Sequence, residues 1–247
     1  MSGAVELVLV RHGESEGNVA ATAAQLGGIE LIDVPARDAD VLLSPTGREQ
    51  AAALGRGMAA VAPDRRADVV LCSPYARARE TAEIAVREAG WDVPVRSDER
   101  LRDRELGILD MLTQLGVERR FPDEAERRRW LGKFYYRPPG GESWADVALR
   151  LRSIVAELNA LGSGHRIMLV CHDAVVLLFR YILEGLSERE ILDLASTTTV
   201  ANASTTTFVR PSGEGAWTLQ DFNQTSHLSS LGVTVTEHGG DASVQPR

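Results

Sequence analysis

The chain has 247 residues, 44% of them hydrophobic and 25% charged, an ordinary balance for a soluble globular protein. Its net charge is -8, with no basic stripe alternating with aromatics, which argues against nucleic acid as a partner. No apolar run approaches the length of a membrane span, so a bilayer is not expected as a partner either. Met1-Ser2-Gly3-Ala4 lacks the basic region and long apolar stretch of a secretory signal. Cys72 and Cys171 each end an apolar run and read as small buried hydrophobes rather than a disulfide framework. A reducing, cytoplasmic setting is the expectation.

In chain order, Val5 to Val10 is nearly all apolar, as in a central strand covered on both faces, and runs into Arg11-His12-Gly13-Glu14-Ser15-Glu16-Gly17-Asn18. A loose stretch follows. Leu43-Ser44-Pro45-Thr46 then starts a helix with Leu54 and Met58 on one face. Val69 to Cys72 predicts a second strand ending at Ser73-Pro74, and a helix from about Arg77 to Ala89 closes at Gly90. Residues from about 104 to 141 break the alternation and read as an inserted lid, rich in arginine and aromatics, finishing in Pro138-Pro139-Gly140-Gly141. Val147, Leu151, Ile154, Val155 and Leu158 lie at helical spacing within a helix from Trp144 to Leu161. A third strand, Ile167 to Cys171, ends at His172-Asp173, with a helix from near Ala174. Strand-like pieces at Thr205 to Val209 and Trp217 to Asp221 come late. One domain over 1–231 is expected, with a polar tail over 232–247 expected to be disordered. The pattern predicts an α/β protein, a three-layer α/β/α sandwich with a mostly parallel central sheet and an inserted lid.

Three of the predicted strands end in chemically capable residues: Arg11-His12, Ser73 leading to Arg77, and His172-Asp173. In open α/β sheets, sites lie beyond the carboxyl ends of the strands, so these ends should converge. An imidazole can attack phosphorus and split one displacement into two easier ones. Arginine grips phosphate oxygens with a fork of donors that stays charged, a second imidazole adds a donor, and a carboxylic acid can protonate the leaving oxygen. His12, Arg11, Arg77 and His172 supply the first parts, and Asp103, Glu105 and Asp173 are the candidate acids.

These blocks resemble a known family. Leu9 to Asn18 is similar to the strand-then-RHGxSxxN signature of the histidine phosphatase superfamily, which includes the cofactor-dependent phosphoglycerate mutases. Ser73 to Ala82 resembles its SPxxRAxxTA block, Gly141-Glu142-Ser143 its GES, and Val170 to Asp173 the segment around its second histidine. Four ordered blocks over roughly residues 5 to 230 imply that family. The resemblance implies His12 as nucleophile, with Arg11, Asn18, Arg77 and His172 forming the phosphate pocket. Arg79 lies two positions from Arg77 and cannot share its helix face, so the pocket is assigned to Arg77.

Two departures matter. Where the family carries a glutamate four residues before a glycine, this chain has Asp103, one methylene shorter. After the second histidine stands Asp173 in place of the glycine usual in the first branch, an arrangement similar to the acid phosphatase branch, where the aspartate is the donor. The acid is therefore Asp103 or Asp173, with the alignment favouring Asp103 and Glu105 the weakest candidate. A metal is not expected, because no HxH, HxxxH or cysteine-pair spacing occurs and arginines bracket the histidines. No cofactor is expected.

His165 and His238 read as surface residues, and Tyr135-Tyr136-Arg137 as the part of the lid that touches substrate. The insertion carries Arg119-Arg120 and Arg127 to Arg129 but lacks the Trp-Arg-Arg and proline run associated with the mutases. A metal-independent phosphatase acting on a small phosphorylated metabolite is thus the preferred reading. The alternatives are phosphoglycerate mutase-type transfer or a non-catalytic phosphate-binding module. A homodimer is compatible with the sequence.

Overall fold

Side-chain alternation along the strands decides the architecture. In β1 (Glu6–Arg11), Leu7 and Leu9 point into one core and Val10 into the other, with Val8 packed beside it. The computed structural model describes residues 3–34, 37–161 and 164–238. After β1 come α1 (Glu16–Leu26), α2 (Pro45–Ala59), β2 (Val69–Cys72), α3 (Ala76–Ala89) and β3 (Val95–Ser97). The lid region holds α4 (Gln114–Arg120) and α5 (Pro122–Tyr135), the latter broken at Gly132 by a positive φ of 75°. Then follow α6 (Trp144–Ala160), β4 (Arg166–Cys171), α7 (Asp173–Leu183), α8 (Glu188–Thr197), β5 (Thr205–Val209), β6 (Thr218–Gln224) and the short α9 (Ser226–Ser229).

The sheet runs β3-β2-β4-β1-β5-β6. The first four strands are mutually parallel, whereas β5 is antiparallel to β1 and β6 to β5. On one face Leu7, Leu9, Ile167, Leu169 and Cys171 meet Leu151, Ile154 and Leu158 of α6 and Val175, Val176 and Phe179 of α7. On the other, Val10, Val70, Cys72, Met168 and Val170 meet Leu54 and Met58 of α2 and Ala78, Ala82 and Ala85 of α3. Two cores on opposite faces of one sheet make the three layers, with apolar burial the main source of stability.

β2, β4 and β1 are consecutive neighbours, so their carboxyl ends open onto one crevice, as the sequence predicted. Gly90 ends α3 in the left-handed region, at φ 63°, where a helix cap favours glycine.

Several expectations need correction. The loose stretch after Asn18 begins as part of α1, which buries only Ala24 and so carries no apolar stripe to betray it. β3 spans three residues at the sheet edge, below what periodicity can reveal, whereas α8 sets Ile191, Leu194 and Ala195 against the core at helical spacing, a short stripe that periodicity does carry. The tail expected to be disordered from residue 232 is structured over 232–238. The side chain of Gln50 donates to Thr234 O, and Asn202 N donates to Thr236 O, so a polar segment is fixed by buried polar partners. The remainder of that expectation, residues 239–247, lies outside the described residues.

Candidate active site

Leaving β1, the chain must turn sharply while holding its polar groups off water. Gly13 N donates to Thr81 Oγ1, and Glu14 N donates to Gln50 Oε1. Gly47 at the start of α2 lies so close to this turn that a Cβ there would come within 1.9 Å of Glu14 O. Ser15 caps α1, and Asn18 completes the capping box through its Oδ1. The turn that carries His12 is thus clamped by α2 and α3 from one side and α1 from the other.

His12 is buried, and its Nδ1 donates to Gly13 O at 2.7 Å. A carbonyl can only accept, which places the proton on Nδ1 and leaves a lone pair on Nε2. Arg77 Nε donates to that Nε2 at 3.3 Å. Burial first, then the positive charge of Arg77, His172 and Arg11, holds the imidazole well below its usual pKa. The result is a neutral ring presenting Nε2 beside a guanidinium.

Arg77 is buried on the first turn of α3 and lies over the ring of Tyr75. Its Nη2 is 3.1 Å from Asp103 Oδ2. Asp38, from the segment joining α1 and α2, takes both Nη nitrogens through its two carboxylate oxygens, each at 3.1 Å. Arg79 turns outward to Glu83. His172 is fully buried behind His12, ring centroids 5.1 Å apart, with Nε2 2.9 Å from Ser73 Oγ. Its Nδ1 lies 3.2 Å from Asp103 Oδ2 without an aligned hydrogen bond. Arg11 donates to Val200 O and His238 O, and desolvation lowers its pKa.

Burial alone would raise the pKa of Asp103, but His172 and Arg77 outweigh it and hold the carboxyl well below the usual range. A quarter of its side chain is exposed to the cleft. Asp173, first residue of α7, accepts from Ala174 N and also faces the cleft. Glu105 instead accepts from Tyr75 Oη and stands outside the cleft wall.

The cleft has a volume of about 370 Å³. Arg11, His12, Asn18, Arg77, Asp103 and Asp173 line it; His172 supports it from behind. Asn18 Oδ1 accepts from Asn202, which leaves its amide nitrogen toward the cleft as a donor with no hydrogen-bond partner among the described residues.

The lid contributes Arg104, Leu106, Asp110, Met111, Leu112 and Lys133, and the run Ser196 to Thr199, across the end of α8, contributes hydroxyl residues. The expectation for Tyr135 to Arg137 is corrected. Tyr136 is buried with its hydroxyl on Glu124, Tyr135 reaches Glu188 and Arg137 reaches Asp146. His238 is likewise not a surface residue: it bridges Thr22 and Glu14 and lines the cleft. Asp38 and His238 escaped sequence reading because neither lies in an element with a period or in a motif block. Among the described residues, no group of three or more His, Cys, Asp or Glu is arranged to hold a metal ion.

Comparisons with known proteins bear on the family and the fold. Residues 7–225 match the family model described as histidine phosphatase superfamily (branch 1). The chain is 31% identical over 208 residues to a 2,3-bisphosphoglycerate-dependent phosphoglycerate mutase of Methylobacterium radiotolerans, covering 81% of this chain and 91% of that one. It is 33% identical over 187 residues to a glucosyl-3-phosphoglycerate phosphatase of Mycolicibacterium vanbaalenii, covering 73% and 74%. The native structure of a mycobacterial glucosyl-3-phosphoglycerate phosphatase superposes with a TM-score of 0.70 at 28% identity, over 90% of this chain and 99% of that one.

Proposed function

The chain belongs to the histidine phosphatase superfamily, branch 1, and from that premise we propose that it hydrolyses a small phosphomonoester through a phosphohistidine on His12. The observation that carries this reading is the His12 ring itself, with Nδ1 tied to Gly13 O and Nε2 directed at the Arg77 guanidinium.

In the first step Nε2 forms a bond to phosphorus as the bond to the leaving alcohol breaks, and Asp103 gives that oxygen its proton. In the second, water attacks phosphorus, passes its proton to the Asp103 carboxylate, and the N–P bond breaks to release inorganic phosphate. Arg77, Arg11, the Asn18 amide and His172 supply positive charge and donors where negative charge shifts. Asp103 needs a proton for the first step. A phosphate dianion that shares Arg77 and His172 with it raises its affinity for one. Asp173 is then a wall residue beside Arg11 rather than the donor.

The mutase relative raises phosphoglycerate transfer as the rival. The arginines of α4 and α5 favour hydrolysis: Arg119 and Arg120 both pair with Glu30, and Arg127 with Glu124, none of them in the cleft wall, which Arg104 at the start of the lid does line. Among the described residues no helix is long and apolar enough to cross a membrane. A cytoplasmic enzyme without metal or cofactor, free of nucleic acid and compatible with a homodimer, completes the proposal.

Purified protein should release phosphate from p-nitrophenyl phosphate in the presence of chelator, and His12→Ala should abolish this. Turnover that survives His12→Ala overturns the assignment. Isomerisation of 3-phosphoglycerate with bisphosphoglycerate, without free phosphate, would identify the mutase instead.

A further inference from the structure

The guanidinium of Arg77 has five N–H donors, and among the described residues every one is engaged. Nε donates to His12, one Nη to Asp38 O at 2.7 Å and Asp38 Oδ1, the other to Asp38 Oδ2 and Asp103 Oδ2. Asp38 therefore grips the fork with two parallel contacts, the same planar geometry by which a guanidinium takes two oxygens of a phosphate. In this arrangement no donor of Arg77 is left for substrate. Carboxylate and phosphoryl group need the same two nitrogens.

The two carboxylates on Arg77 differ in how they are held. Asp103 is fixed by its neighbour's Arg104 N and stands beside His172. Asp38 begins a three-residue 3-10 turn, Asp38–Asp40, in the segment joining α1 and α2, and 36% of its side chain is exposed. Within that turn, Asp40 pairs with the exposed Arg37. A side chain this exposed can turn toward water by rotation about its own bonds, and a carboxylate released to water regains its hydration. Arg77 never loses its counter-charge in the exchange, because the incoming dianion replaces the departing monoanion.

Resting on the phosphatase reading above, we infer that Asp38 is an internal competitor at the phosphate subsite, which the phosphoryl group of the substrate displaces from Arg77. Asp38 is then an affinity-setting residue that touches no reacting atom. It weakens the binding of phosphate esters and of inorganic phosphate alike. The same displacement hastens release of the product that would otherwise hold the site.

The test is titration calorimetry with inorganic phosphate on the wild type, Asp38→Asn, Asp38→Ser and the control Asp40→Asn, alongside KM and kcat for p-nitrophenyl phosphate. Removing the competing charge should tighten phosphate binding about tenfold, the scale of one hydrogen bond to a charged group. KM should fall in the same proportion, without a rise in kcat, and Asp40→Asn should match the wild type. Phosphate binding that is unchanged or weaker in both Asp38 variants overturns the inference, because a carboxylate that merely supports Arg77 moves affinity in that opposite direction. Two serine and asparagine variants keep the test open should one of them fail to fold. Failure of the phosphatase reading is separate: it would show as a wild type without hydrolysis, or as hydrolysis that survives His12→Ala.

Discussion

His12 keeps its lone pair through its surroundings: burial, with Arg77, His172 and Arg11 close by, disfavours a second proton on the ring. With p-nitrophenyl phosphate, whose leaving group needs little protonation, activity should therefore persist as pH falls below 6.5, where a free imidazole would be half protonated. A pH–rate profile whose acid limb lies at or above 6.5 would contradict this. The two aspartates separate by leaving group. Asp103→Asn should lower kcat by about 10²–10³ on alkyl phosphates and far less on p-nitrophenyl phosphate. Asp173→Asn should instead act mainly on KM, and steady-state kinetics on both ester types distinguishes the two. At this scale the sequence was informative where residues fall in motif blocks: His12, Arg11, Arg77, Asn18 and Asp103 meet in one cleft, with His172 just behind. It was silent on Asp38, because a polar residue in an aperiodic stretch gives no sign of the long-range ion pair it makes.

Elements place these residues, and two of them can be tested by small changes. Gly47 lets the start of α2 rest on the turn behind His12, and any Cβ must push the two apart. Gly47→Ala should cost about 1–3 kcal/mol as overpacking, on the order of 5 °C in Tm, and should also reduce kcat. Calorimetry and kinetics on one sample check both. The segment 232–238 closes the other side, through Gln50, Asn202, Glu14 and Arg11. Truncation after Val233 should raise KM severalfold, since Arg11 and Glu14 each lose a partner. An unchanged KM would show the segment to be passive. The strands were legible because buried strands in a parallel sheet are almost wholly apolar. α1 was not, since it buries one residue and has no stripe to read, whereas Ile191, Leu194 and Ala195 of α8, packed on the core at helical spacing, were a legible signal.

For the molecule as a whole, the buried histidines tie stability to acidity. Burial lowers the pKa of His227 as well as that of His12. In the unfolded chain both take up a proton near pH 6.5, whereas in the folded chain they do so only at lower pH. Their contribution is thus fully present above 6.5 and declines as pH falls below it toward the folded values. Unfolding free energy measured by denaturant should drop between pH 7 and 5, with a shallower slope in His12→Asn. The sandwich itself followed from alternation of strands and helices, yet strand order did not, because one sequence gives no pairing partners. The antiparallel β5 and β6 emerge only from that pairing.

β1 is flanked on both sides, by β4 and β5, and covered on both faces, so its amides sit where every opening must be global. In hydrogen–deuterium exchange β1 and β4 should be the last segments to take up label, well after α1 and the lid. The nucleophile is thus seated on the slowest-opening part of the chain. The groups that admit a substrate hang from its faster-opening rim, so gentle heating should erode affinity before it unseats His12.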